Sequence, residues 1–466
     1  MSKRVARPHP LVPNSTSDNW EAMLRELGAE TVEELYSDVP EKFLLERDLD
    51  LPDPLSESEV YEHISKILDR NTSAKEMPVF LGAGVWSHYV PAVVSEIVSR
   101  SEFLTSYTPY QPEASQGMLT ALFEYQSLLA ELLEMDVVNA SMYDWATALG
   151  EAGRMAGRLT GRSEMLVPEH MSQDRRDVLE TYLKAAGMKI MEVSNSWETG
   201  QLEVEQLKKK VSSRTAAVYI ENPSYFGTMQ RYVVDVEQVC HDSGALYVVG
   251  TDLVSLGVLR APGDYGADIV VAEGQPLGND INFGGPLLGV LACKDDMKMI
   301  RAMPGRLIGM TKTLKGGERA FVMSLQTREQ HIRRERATSN ICTNQALCAV
   351  ASAVYLSLLG KAGMRNLAEH ILAKTRYASE RLNSVEGVVA PLFDGIHFKE
   401  FAANFRQVSL DEVNAGLLSR GMHGGKDLRF EFPQVGESSL FCVTETHSKR
   451  QIDALVEAVA QIVGER

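Results

Sequence analysis

Residues 245–293 read ALYVVGTDLVSLGVLRAPGDYGADIVVAEGQPLGNDINFGGPLLGVLAC. Apolar runs at 245–249 and 267–272, then a Gly-rich turn and a further run at 286–293, predict strand, strand, turn, strand. Gln275 stands just past the second strand, and no lysine occurs anywhere in the stretch. Upstream, short apolar runs at 165–168, 189–193 and 216–220 alternate with amphipathic helical segments near 174–186, 203–211 and 235–243. Such alternation implies an α/β fold, with a mostly parallel sheet covered by helices on both faces. Ligands of such sheets collect at the carboxyl ends of the strands.

Outward from this centre the chain divides into three expected parts. Residues 1–75 read as an arm of short helices, in which Thr31 with Glu34 and Ser56 with Glu59 have the capping-box spacing. Residues 76–330 form the large α/β domain, including a helix over 113–134 whose Met118, Leu122, Tyr125, Leu129 and Leu132 recur at the spacing of a buried face. Residues 331–466 begin with a helix near 344–359 that leads through Gly360 into 364–382. Strands near 387–389 and 440–443 and a helix over 449–463 complete a smaller C-terminal α+β domain.

The 466 residues, 44% hydrophobic and 24% charged, have the composition of a globular protein with two or three cores. A net charge of −16 argues against a nucleic-acid binder, which would present a basic face. The five cysteines, Cys240, Cys293, Cys342, Cys348 and Cys442, are scattered and show no CxxC or Cys/His ligand spacing. Neither a metal site nor a disulfide framework is expected. No signal-peptide core and no run of about 20 apolar residues appears, so the expected compartment is the cytoplasm and no membrane partner is expected.

Several segments carry candidate chemistry. In Tyr107-Thr108-Pro109-Tyr110-Gln111-Pro112 two prolines fix φ and present phenols and an amide ahead of a helix. That suits a ligand pocket or an interface, or simply tyrosines packed between elements. Ser115 and Gln116 lie near the helix start, where free N–H groups bind anions or Ser115 serves only as a cap. Residues 141–147, with Tyr143 and Asp144, join a strand to a small-residue helix. Asn222, before Pro223 and Gly227, either points into a cleft or makes a turn. His88 reads as a structural histidine. The run Arg328, His331, Arg333, Arg334, Arg336 stands out in an acidic chain, its guanidinium forks suited to carboxylates or phosphates, although Glu329 and Glu335 make an interface ion-pair network an equal reading.

The motifs YTPYQPE, ENPSYFG, EGQ…FGGP and REQHIRRE…TSNICTNQAL, in this order over nearly the whole chain, resemble the P-protein of the glycine cleavage system, the decarboxylating glycine dehydrogenase. Within that family the chain is similar to subunit 1, the alpha or N-terminal half. The resemblance implies a fold-type-I pyridoxal phosphate architecture, like that of aspartate aminotransferase. It also implies that Gln275 replaces the lysine that would form the cofactor's Schiff base, and that Val249 falls where the other half has the aspartate of the pyridine nitrogen. Asp252, three positions away, is not given that role. Trp145 stands where glycine is expected and either narrows the local pocket or packs neutrally.

The implied activity belongs to an assembly, expected as two alpha and two beta chains. The beta subunit supplies the lysine and the pyridoxal phosphate, glycine loses CO2, and the lipoyl arm of the lipoylated H-protein accepts the aminomethyl group. No catalytic residue of this chain's own is expected. Tyr107, Thr108, Tyr110, Gln111, Ser115, Gln116, Tyr143, Asp144, Asn222, Gln275, Arg328, His331, Arg333 and Arg334 are candidates for a shared site or interface. A non-catalytic scaffold subunit of the same complex is the alternative. A self-sufficient pyridoxal enzyme would need another lysine, and Lys294, beyond the last strand, is badly placed.

Overall fold

A computed structural model of the chain describes residues 11–45, 47, 49–325, 329–341 and 343–464. Residues 1–72 and 73–466 are two compact units. The first holds α1 (Ser17–Leu27), closed by Gly28 in the left-handed region at φ 67°, and α2 (Glu57–Leu68), which Ser56 and Glu59 open with the expected reciprocal capping box. Glu34 also accepts from Thr31 N at 3.1 Å, but the turn that follows, Glu33–Tyr36, is 3-10 and stops after four residues.

The second unit begins with α3 (Ala92–Val98), α4 (Ser101–Leu104) and α5 (Gln116–Leu133). There follow β1 (Val137–Val138), α6 (Trp145–Thr160), β2 (Glu164–Pro168), α7 (Gln173–Ala185), β3 (Lys189–Val193), α8 (Val204–Lys210), β4 (Thr215–Glu221), α9 (Val233–Ser243), β5 (Leu246–Asp252), β6 (Ile269–Glu273) and β7 (Gly289–Cys293). The strands form one sheet in the order β1-β7-β6-β5-β4-β2-β3, parallel from β3 to β6 and antiparallel at β7. One face packs against α5, α8, α9 and a long later helix, the other against α6 and α7. This is the sandwich that the alternation predicted.

After α10 (Met297–Ala302), the hairpin β8 (Leu307–Lys312) and β9 (Arg319–Ser324) lies on α5, where Gln116 and Gln126 bond its main chain. α11 (Gln330–Arg333) leads to α12 (Ala346–Asn383), whose two helical parts meet at Gly360, φ 57° and ψ −174°. By length and hydropathy α12 could cross a membrane, but its apolar residues belong to the cores of this unit. The C-terminal sheet, β10 (Val388–Val389), β11 (Glu400–Phe405), β12 (Lys426–Asp427) and β13 (Ser438–Cys442), has the order β10-β11-β13-β12 and is antiparallel throughout. α13 (Leu410–Ser419) and α14 (Lys449–Gly464) cover it.

Two differences from the sequence reading have local causes. The 113–134 helix starts at Gln116, because Pro112 and the turns at Ala114 and Ser115 occupy the residues before it. Ser115 makes no side-chain cap; instead the Gln116 side chain spans Pro112 O and the Phe321 main chain. Strand β11 escaped the pattern reading because it opens on Glu400 right after Lys399, charged residues that are nonetheless buried.

Candidate functional site

The carboxyl ends of β4, β5 and β6 open onto one crevice. Gln275, two residues past β6, is 1% exposed. Its Oε1 accepts from Trp86 N at 3.1 Å, and its Nε2 donates to Trp86 O at 3.1 Å and Asn279 O at 2.8 Å. The amide therefore pairs with the Trp86 main chain in both directions. Lysine, with donors only, cannot reproduce that.

Beside it, the N-terminus of α6 is already filled. Asp144 caps it, accepting from Thr147 N at 2.7 Å. Glu273 Oε2 accepts from Trp145 N at 3.2 Å, while Oε1 accepts from Gln275 N at 3.0 Å and Leu288 N at 2.8 Å. Burial pushes this carboxyl up to about 7, against the three N–H groups that favour its charge, and Asp144 adds to the rise. The Trp145 indole lies on β5, where a Cβ built on Gly250 would come within 2.8 Å of its Cζ2. Its Nε1 donates to Tyr219 OH at 3.1 Å, and the Arg175 guanidinium stacks 4.5 Å from its ring. Arg175 in turn makes a bidentate pair with Glu221 at 2.9 and 2.8 Å, and Tyr219 OH donates to the same carboxylate at 3.0 Å.

The C-terminal sheet closes the other side of the crevice. Lys399 Nζ lies 2.5 Å from Asp252 Oδ2, with side-chain exposures of 1% and 9%, and 4.5 Å from the Trp86 ring centroid. Glu400 accepts from Ala83 N at 2.5 Å, and burial pushes its carboxyl up to about 7 as well. His88 is structural: its Nδ1 lies 2.9 Å from Glu445 Oε2, and Tyr89 N donates to the same carboxylate.

Pyridoxal phosphate requires an amine, a seat for its phosphate and a slot for its ring. Here the amide of Gln275 is bound to main chain, the helix N-terminus to a carboxyl, and the Trp145 indole stacks on Arg175, so the residues of this crevice do not fit the group. Trp145 lines the same pocket. Lys294 is at the far end of the sheet, bonded to Asp268 Oδ1 at 2.8 Å, and the buried lysine that does reach the crevice, Lys399, is held by Asp252.

Glu273 sets a pH dependence of stability. An unfolded glutamate titrates near ~4.3, so the folded chain holds an extra proton up to about pH 7. That contribution is complete below the unfolded value and is lost as pH rises through the folded one. Glu273→Gln should remove this share, so its unfolding midpoint should fall less than that of the unsubstituted chain between about pH 5 and about pH 8. Denaturant titrations at the two pH values check the difference. Equal slopes would refute it.

The remaining sequence candidates gather elsewhere. Tyr110 OH accepts from Arg306 Nη2 at 3.0 Å and donates to Glu329 Oε2 at 3.4 Å, whose carboxylate is 3.5 Å from His331 Nδ1. The Tyr110 and His331 rings meet edge to face, centroids 6.0 Å apart. The structure thus joins the two-proline loop to the basic run through Glu329 and His331, while Arg306, a residue that spacing alone did not single out, holds the same phenol. Tyr107 is 71% exposed, Gln111, Arg333 and Arg334 are exposed, and Thr108 and Tyr143 are half-buried. Asn222 Oδ1 accepts from Gln230 N at 3.0 Å, which ties it into the turn after β4. Arg328 lies outside the described residues. Arg175 and Lys399 were missed because each reads as a surface charge until a distant carboxylate pairs with it.

The sheet order, the crossover helices, the long α12 and the C-terminal antiparallel sheet define a fold-type-I chain. A Burkholderia pseudomallei sphingosine-1-phosphate lyase has the same fold at 13% identity, TM-score 0.65, over 91% of this chain and 93% of that one. Residues 11–459 match the profile of the family described as glycine cleavage system P-protein. The chain is 49% identical to a probable glycine dehydrogenase (decarboxylating) subunit 1 of Thermococcus onnurineus and 50% identical to its counterpart in Pyrococcus horikoshii, in each case over 97% of this chain and 99% of the relative. A crystal structure of glycine decarboxylase (P-protein) of the glycine cleavage system, in inhibitor-bound form, superposes with TM-score 0.86 at 39% identity, covering 98% of this chain and 99% of that one. The chain belongs to the glycine cleavage system P-protein family.

Proposed function

We propose that this chain is the alpha subunit of a heteromeric decarboxylating glycine dehydrogenase and works with a lysine-bearing beta subunit. The observation that carries the reading is Gln275, buried where the covalent anchor is expected and bonded at both ends of its amide to protein main chain. The beta subunit holds pyridoxal phosphate, and the assembled enzyme releases CO2 from glycine and passes the aminomethyl group to the lipoyl arm of H-protein. Two alpha and two beta chains, located in the cytoplasm, are the expected assembly.

In this reading the alpha subunit contributes the surface around Tyr107, Thr108, Tyr110, Gln111, His331, Arg333 and Arg334 to the mouth of the beta subunit's site. Support comes from the cluster itself. Tyr107 is a large exposed phenol on a loop whose neighbour Tyr110 is fixed by Arg306 and Glu329. Because Tyr107 is exposed in this chain, Tyr107→Phe should leave its folding and its assembly with the beta subunit intact. Glycine–bicarbonate exchange by the complex should fall about ten- to a hundred-fold, the loss of one hydrogen bond to a charged group worth roughly 1.5–3 kcal/mol. Full exchange activity in a well-assembled complex would leave Tyr107 outside the site, and the same result for His331→Ala would leave the scaffold role.

A further inference from the structure

Three main-chain N–H groups from three different elements converge on one carboxyl. Trp145 N comes from the start of α6, Gln275 N from just past β6, and Leu288 N from the approach to β7. Several oriented N–H donors around one acidic group, one of them at a helix start, is the arrangement by which proteins seat a phosphate. Here the acid is supplied by Glu273, 2% exposed. Next to it, the space between β5 and Arg175 is filled by a single indole. On the strand side Trp145 touches Gly250, and on the other the guanidinium stacks at 4.5 Å, itself fixed by two hydrogen bonds to Glu221. No second ring enters between strand and guanidinium without displacing the indole.

We propose that the protein carries its own stand-in for the cofactor, with the Trp145 indole in the ring slot and the Glu273 carboxyl in the phosphate seat, so that exclusion of pyridoxal phosphate is built into the crevice and does not depend on the missing lysine alone. This rests on the reading that the cofactor lies with the partner subunit. Its consequence is that restoring the amine does not restore binding. The stand-in also keeps the crevice packed and hydrogen-bonded with no ligand present, because an empty slot at the ends of β4, β5 and β6 would leave buried N–H groups unpaired.

The test uses the full chain with pyridoxal 5'-phosphate, borohydride reduction and peptide mapping, label at position 275 being normalised to the surface lysines of the same chain. Gln275→Lys should show no label above that background, whereas Trp145→Gly/Glu273→Ala/Gln275→Lys, in which both the slot and the seat are emptied, should show at least about tenfold more. Equal labelling of the two, at any level, overturns the inference. A second variant, Trp145→Gly/Gln275→Lys, keeps the Glu273 carboxyl and separates the two halves of the stand-in. It should prefer pyridoxal to pyridoxal 5'-phosphate on the same normalised scale, since the phosphate seat is still taken, and the reverse order overturns the role given to Glu273. Circular dichroism confirms that each variant is folded. Stoichiometric label on a native lysine of the unsubstituted chain is a different outcome, and it would defeat the proposed function itself.

Discussion

Purified alone and mixed with pyridoxal phosphate and glycine, this chain should bind no cofactor covalently and release no CO2. Adding the lysine-bearing beta subunit should bring decarboxylation from zero to the full rate of the complex. The effect is all-or-none because only an amine can hold the aldehyde. At the end of β6 the chain has Gln275, and two lysines that could replace it are both engaged: Lys294 bonds Asp268 and Gly266 at the opposite end of the sheet, and Lys399 is buried against Asp252 and Trp86. Borohydride trapping with peptide mapping, run with and without the beta subunit, is the measurement. A single native lysine of this chain labelled stoichiometrically would sink the expectation. The same experiment reads partnership, since a subunit that binds only the folded chain raises its thermal midpoint by mass action. A midpoint unmoved by excess beta subunit would count against an obligate pair.

Glu221→Ala should destabilise the chain by about 3–5 kcal/mol, the cost of leaving a buried charge without its partner. Arg175 is 6% exposed and lies between the Trp145 and Tyr225 rings, at 4.5 and 5.7 Å, so water cannot readily replace the lost carboxylate. Tyr219 OH loses its acceptor in the same change. Replacing both charges, as Arg175→Met/Glu221→Leu, should cost less than Glu221→Ala alone, because no uncompensated charge remains. Denaturant midpoints at constant slope measure both variants. A loss below about 1 kcal/mol for Glu221→Ala would mean that Arg175 reaches solvent or another acid, contrary to its packing.

Periodicity was enough to read the doubly wound sheet, α5, α12 and α14, because each buries a face that repeats every two or about four residues. The replacement of lysine by glutamine was equally legible, being a matter of residue type at one position. Local spacing also settled the Ser56–Glu59 cap, whose partners are three residues apart.

What the sequence by itself determined, then, is the fold, the family likeness and the loss of the anchor at Gln275. Only the tertiary structure decided what took the anchor's place. Trp86 reaches Gln275 across 189 residues, Lys399 reaches Asp252 from another sheet, and Glu273 gathers Trp145 N from the start of a helix 128 residues earlier. These partners are set by how the large sheet, the 80–90 segment and the C-terminal sheet pack together. Burial reverses the usual meaning of their charges: Arg175, Glu221, Lys399 and Glu400 look like solvated surface residues in the chain, and become the walls of the crevice once Arg175 pairs with Glu221, Lys399 with Asp252 and Glu400 with Ala83 N.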